Sequence, residues 1–185
     1  MKKIISILIL IVTLLALSSC SGDGVDVPEG MQLLSDNDVF TAFVPENWII
    51  DDTRLCTAHD GQYEITDKYE AFYAQIQITS RKVEADKDIE AYANEYLSSF
   101  ENNYGEDFEK SSGVLDFRKG TVSAGKEITF SIKMGADKDI YYYRVTFMKK
   151  GENIVEISYR ANSVAELFEN NLEDYEATRE NIILK

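Results

Sequence analysis

Residues Asp139 to Lys149 carry apolar or aromatic side chains on both faces of one extended segment. Tyr141, Tyr143, Val145 and Phe147 fall on one side; Ile140, Tyr142, Thr146 and Met148 fall on the other. Successive side chains of a strand point to opposite faces. A strand that is greasy on both faces is predicted to lie inside a sheet, with other elements packed above and below it. The rest of the chain must then supply flanking strands and a cover for each face.

The flanking strands are legible. Ile128, Phe130, Ile132 and Met134 alternate with Glu127, Thr129, Ser131 and Lys133, the period of a half-buried strand. Lys150-Gly151-Glu152-Asn153 reads as a short turn, and Ile154 to Tyr159 as its hairpin partner. Phe72, Ala74, Ile76 and Ile78 alternate with Tyr73, Gln75, Gln77 and Thr79 in the same way. Val114 to Arg118 is a further candidate strand. Phe40 to Val44 reads as the first strand, ended by Pro45, which has no amide to donate. Residues 51–68 are mixed and polar, and are read as loop with room for one short strand.

Two segments change period. Ile89, Tyr92, Ala93, Tyr96, Leu97, Phe100 and Tyr104 recur every three or four residues, one apolar helical face. Asp86 and Asp88 sit at its positive end, and Gly105 stops it. Near the end, Ser163 and Glu166 have capping-box spacing. Val164, Leu167, Phe168, Leu172 and Tyr175 follow at helical spacing, and Ile182 and Ile183 continue the apolar content. The expected fold class is α+β: an antiparallel β-sheet flanked by helices, in a single domain over residues 31–185.

Phe43-x-Pro45-x-x-Trp48 is similar to the opening strand and turn of the PsbP-like family. The ending is similar too: the aromatic strand Tyr141 to Met148, the turn at Gly151, the strand Ile154 to Tyr159 and a Ser-capped helix carrying Leu167-Phe168. The resemblance spans roughly residues 31–185 and implies a central antiparallel sheet sandwiched between helices. It also implies a binding or assembly role. The family includes extrinsic photosystem proteins, a Ran-binding eukaryotic relative and bacterial lipoproteins. It carries no functional residue over to this chain.

Ahead of the domain, Lys2 and Lys3 precede an unbroken apolar-to-neutral run, residues 4–17. As a helix that run is about 21 Å long, short of the roughly 30 Å core of a bilayer. It reads as a secretory signal, residues 1–19. Leu17-Ser18-Ser19-Cys20 resembles the lipobox of bacterial lipoproteins. The resemblance implies cleavage before Cys20, acylation of its sulfur and attachment to membrane lipid on the outer side of the cytoplasmic membrane. In a host with an outer membrane, Ser21 fits sorting to it. Residues 20–30 are rich in Gly, Asp and Pro and read as a flexible lipid-anchored tether.

The chain has 33 acidic and 19 basic side chains. Without residues 1–19, which hold two lysines and no acid, 17 basic side chains remain against 33 acidic ones. So acidic a body is not expected to grip nucleic acid. The charge fits solubility and, as a functional reading, a basic protein partner. With Cys20 lipidated, Cys56 is the one cysteine left, so no intrachain disulfide is expected. A Cys56–His59 catalytic pair would need a helix to share a face, and Asp60-Gly61 argues for a turn.

No catalytic, cofactor or metal motif is expected. One histidine cannot build a usual zinc set. Asp36-Asn37-Asp38, Asp51-Asp52 and Asp137-Lys138-Asp139 do not continue into a calcium loop. Tyr92, Tyr96, Tyr141, Tyr143 and Tyr175 fall on faces that the core requires. Tyr142 and Arg144 are the candidate binding surface, on condition that no helix covers their face of the strand. The expected function is a membrane-anchored, non-enzymatic protein-binding or assembly module. The alternative is a carrier of a small ligand or cation, and an envelope enzyme built on Cys56 and His59 comes third.

Overall fold

The computed structural model describes residues 24–185 except 53–54, 61–62, 67–68, 73, 120–122, 137–138 and 163–164. The signal, Cys20 and the first tether residues lie outside the described residues, as does Ser163 of the capping box. The strands are β1 (Met31–Asp36), β2 (Phe40–Pro45), β3 (Ile49–Asp52), β4 (Thr57–His59), β5 (Tyr63–Thr66), β6 (Tyr69–Phe72) and β7 (Ala74–Lys82). Helix α1 (Ile89–Tyr104) comes next, then β8 (Phe108–Lys110), β9 (Leu115–Lys119), β10 (Ser123–Met134), β11 (Asp139–Lys150) and β12 (Asn153–Asn162). Helices α2 (Ala165–Asn170) and α3 (Leu172–Asn181) and the short β13 (Ile183–Leu184) end the chain.

An antiparallel sheet runs in the order β3-β4-β7-β12-β11-β10-β8, with β9 also pairing β10. The two-sided strand β11 lies between β10 and β12, as its composition requires. Tyr143, Val145 and Phe147 join one core with Ile128, Phe130, Ile132 and the helix residues Ala93 and Leu97. Met148 joins the opposite core with Ile76, Ile78, Ile157, Tyr159, Trp48 and Tyr175. Each Val, Leu, Ile, Phe or Met among them, taken fully out of water, stabilises the fold by about 1.5–3 kcal/mol. The class is thus α+β, one domain with helices on both faces of an antiparallel sheet.

Helix α1 follows its sequence signals closely. The Asp88 carboxylate accepts a hydrogen bond from the Ala91 amide at 2.7 Å, capping the first turn. Gly105 ends the helix at φ 53, a left-handed value that a Cβ would strain. Gly151 turns the β11–β12 hairpin at φ 59.

Three expectations are corrected. Residues 51–68 hold more than one short strand: β4, β5 and the end of β3 lie there, and β6 begins immediately after. The last helix is two: the chain breaks at Asn171, whose φ −105 and ψ 9 leave the helical region. Phe40 to Val44 is not the first strand: β1 precedes it and pairs with one edge of β2, while Ile183 pairs with Thr41 on the other.

The second core is fastened from several sides. Gln32 of β1 donates its side-chain amide to Pro45 O at 3.0 Å and Trp48 O at 2.6 Å, fixing the Pro45–Trp48 turn. Trp48 in turn donates its indole N–H to Asp174 Oδ2 of α3 at 2.7 Å. Beneath α3, buried Glu127 of β10 accepts from Arg179 Nη1 at 2.6 Å, Arg144 Nε at 2.8 Å and Thr146 Oγ1 at 2.9 Å.

Candidate functional site

Helix α1 does not cover its whole face of the sheet. Tyr92, Tyr96, Phe100 and Tyr104 recur at four-residue spacing, so they form one stripe. The stripe packs over β10 and β11: Tyr96 meets Phe147 at 5.1 Å between ring centroids, and Phe100 meets Phe130 at 4.8 Å. Beside it, β7 and β12 present polar side chains on the same face. Their register sets Gln75 opposite Arg160, Gln77 opposite Ser158 and Thr79 opposite Glu156. The result is an open cleft of about 550 Å³ with an aromatic wall and a polar floor.

One end of the cleft is closed by its own charges. Glu156 is buried and accepts from the Tyr92 hydroxyl, with Arg81 Nε at 3.1 Å and Thr79 Oγ1 at 3.4 Å. Burial, reinforced by the carboxylate of Glu156, holds the Tyr92 phenol well above its ordinary pKa. Burial raises Tyr96 in the same direction. Both phenols stay neutral, and Tyr92 acts as a hydrogen-bond donor, not as a base. Glu95, on the rim, is paired with Lys87 Nζ at 2.6 Å.

The other end is different. Arg160 is half-buried and hydrogen-bonds the Tyr143 phenol, whose pKa burial raises and the guanidinium partly lowers. Among the described residues, no carboxylate forms an ion pair with Arg160. Tyr143 is itself fixed, stacked on Phe130 at 4.9 Å with the rings within 3° of parallel.

The residues singled out in the sequence sit elsewhere. Tyr142 is half-buried, its ring 5.8 Å from Phe168 of α2. Arg144 is engaged with Glu127 and reaches Glu176 of α3 at 3.2 Å. The C-terminal helices therefore lie over the face that these two residues needed open. Cys56 is buried in a turn at φ 49, and His59 Nε2 stands 3.1 Å from Asp51 Oδ1 across the β3–β4 pair. Among the described residues, no cluster of three His, Cys, Asp or Glu side chains could hold a metal.

The cleft was missed in the sequence, yet a signal for it existed. Gln75, Gln77 and Thr79 form the polar face of β7, and Glu156, Ser158 and Arg160 continue it on β12. Two adjacent strands polar on the same face mark an area that no helix covers.

No family model matches the chain, and no curated protein sequence does. Solved structures do match. The chain is similar to cyanobacterial PsbP (CyanoP) from Synechocystis sp. PCC 6803, with 10% identity, 90% of this chain and 98% of that one covered, and a TM-score of 0.56. LpqN, involved in cell envelope biogenesis of Mycobacterium tuberculosis, matches with 11% identity, 84% and 90% coverage and a TM-score of 0.54. The Ran-binding protein Mog1p of Saccharomyces cerevisiae matches with 11% identity, 83% and 95% coverage and a TM-score of 0.50. At such identities the likeness concerns the backbone alone, and that backbone is the PsbP-like α+β fold.

Proposed function

We propose that this chain is a lipid-anchored module outside the cytoplasmic membrane that binds without transforming, with the α1 cleft as its binding site. The observation that carries the reading is the concave opening of about 550 Å³ between the aromatic stripe of α1 and the polar floor of β7 and β12. Ligand pockets span roughly 300–1,000 Å³ and combine apolar walls with a few polar groups. Mog1p binds Ran and LpqN takes part in envelope biogenesis; binding on this fold is in keeping with the cleft. A protein partner that inserts a chain segment is the second reading, favoured by the three tyrosines on the cleft's helical wall, since tyrosine suits interfaces.

The anchor rests on Leu17-Ser18-Ser19-Cys20 and the run before it. Among the described residues no helix is long and apolar enough to cross a membrane. Two acyl chains hold a protein stably where one does not. In a bacterial host fed labelled palmitate, the full chain is expected to take up label and sediment with membranes. Cys20→Ser is expected to lose the label and either leave the membrane or remain unprocessed. A Cys20→Ser chain of mature size that stays in the membrane pellet would overturn the anchor.

For the cleft, Ser158→Trp places an indole on the floor between Gln77 and the α1 wall. Native mass spectrometry of the full chain, extracted with its membrane, is expected to show a bound species that Ser158→Trp loses. A bound species unaffected by that substitution would move the site off the cleft.

A further inference from the structure

We propose that the cleft holds a small amphiphilic monoanion, its carboxylate on Arg160 and its flat apolar body along Phe100 and Tyr104. The inference rests on the binding reading above and adds the chemistry of the ligand.

Charge bookkeeping at the cleft leaves one group over. Glu156 is matched by Arg81 at 3.1 Å and Glu95 by Lys87 at 2.6 Å. Arg160 has the Tyr143 hydroxyl and, among the described residues, no carboxylate. A guanidinium offers a planar fork of donors that fits a carboxylate with two parallel hydrogen bonds. Gln75 lies opposite Arg160 in the β7–β12 register, and Ser158 and Gln77 follow two residues along. Their amides and hydroxyl line the floor beside the guanidinium and are suited to hold a carboxylate oxygen that Arg160 does not reach.

One surplus positive charge selects one negative charge. Glu95 and Glu156 line the same cleft, and the chain carries a net charge of −14. A dianion such as a phosphate monoester would bring a second negative charge that, among the described residues of the cleft, no cation outside an ion pair offsets. The apolar half follows from the wall. Phe100 and Tyr104 lie 5.9 Å apart with their planes within 15°. Phe100 also stands 6.0 Å from Tyr143, the residue that Arg160 holds. The rings and the guanidinium therefore meet at the same end of the cleft, and a ligand with a carboxylate next to a flat ring spans both.

The probes are 3-phenylpropionate, its uncharged amide and phenyl phosphate. Each is titrated calorimetrically into the full-length chain in phosphatidylcholine nanodiscs, against empty nanodiscs. The acid is expected to bind saturably, with the amide and the phosphate weaker by roughly tenfold or more. Arg160→Gln is expected to bring the acid down to the level of the amide without changing the amide. Arg160→Lys keeps the charge but not the fork and should fall between. Tyr104→Ala shortens the wall and should weaken acid and amide alike, a check independent of whether Arg160→Gln folds. Equal binding of acid and amide, unchanged in Arg160→Gln, would overturn the anion assignment and leave a ligand cleft standing. Absence of saturable binding by all three probes would overturn the ligand class; a Ser158→Trp-sensitive bound species in native mass spectrometry would then still support the binding reading.

Discussion

Glu127→Ala is expected to cost the domain about 3–5 kcal/mol, the range for breaking a buried ion pair by removing one partner. Urea denaturation followed by tryptophan fluorescence reads it directly, because Trp48 is tied to α3 through Asp174. The thermal midpoint should fall by about 6–20 °C for a domain of this size. The magnitude follows from one carboxylate serving two arginines. Glu127 is 8% exposed and binds Arg179 at 2.6 Å and Arg144 at 2.8 Å. Arg179 is itself 8% exposed, its guanidinium 4.2 Å from the centre of the Phe117 ring. Without Glu127 the remaining acid, Glu176, reaches Arg144 at 3.2 Å and Arg179 at only 3.9 Å, from a half-exposed position. Thr146 would also lose an acceptor, leaving its bond with the Tyr175 hydroxyl. Glu176→Ala is the control, since exposed pairs are worth about 1 kcal/mol or less. Equal losses from the two substitutions would show that burial does not set the energy here.

Phe130→Ala acts on the opposite face and should cost about 3–5 kcal/mol. Its ring is fully buried and contacts Tyr143 at 4.9 Å, Phe100 at 4.8 Å and Phe108 at 5.6 Å. Removing it opens a cavity below α1 and frees the Tyr143 ring that Arg160 holds. Near-ultraviolet circular dichroism should lose aromatic signal along with the drop in stability. Phe130→Leu keeps most of the volume and should lose clearly less. A large stability loss with unchanged aromatic dichroism would mean that the ring stack is not ordered by Phe130.

Much of this architecture was legible in the sequence, for reasons tied to particular residues. Helix α1 carried three agreeing signals: the repeat from Ile89 to Tyr104, the acids Asp86 and Asp88 at its positive end and the Gly105 stop. Strand β11 declared its interior place because both of its faces are apolar. Strand β1 was hidden for a local reason. Its register shifts between Leu33 and Ser35, so Met31 and Leu34 are buried three residues apart and the alternation of a strand is broken. Residues 51–68 gave weak signals because strands of three or four residues have little periodicity to show. The break at Asn171 was masked by apolar spacing that runs through it.

The cleft was less legible because it depends on how far α1 reaches across the sheet. Sequence periodicity says which side of a helix is apolar, not which strands it lies over. The same limit applies to Tyr142 and Arg144. Their strand face is apolar enough to call for a cover, and that cover comes from α2 and α3, whose chain position gives no hint of where they dock.

The small sheet β1-β2-β13 has a consequence for how the molecule comes into being. Thr41 and Phe40 of β2 pair with Ile183 and Leu184, and the Lys185 amide bonds Val39 O at 2.8 Å. A polypeptide leaving the ribosome or an export channel does so amino end first. One flank of β2 therefore stays bare while nearly the whole domain is still being delivered. A bare strand edge is adhesive. Closure of this clasp is thus a late step of maturation, and until it happens that edge of β2 is open to non-native pairing.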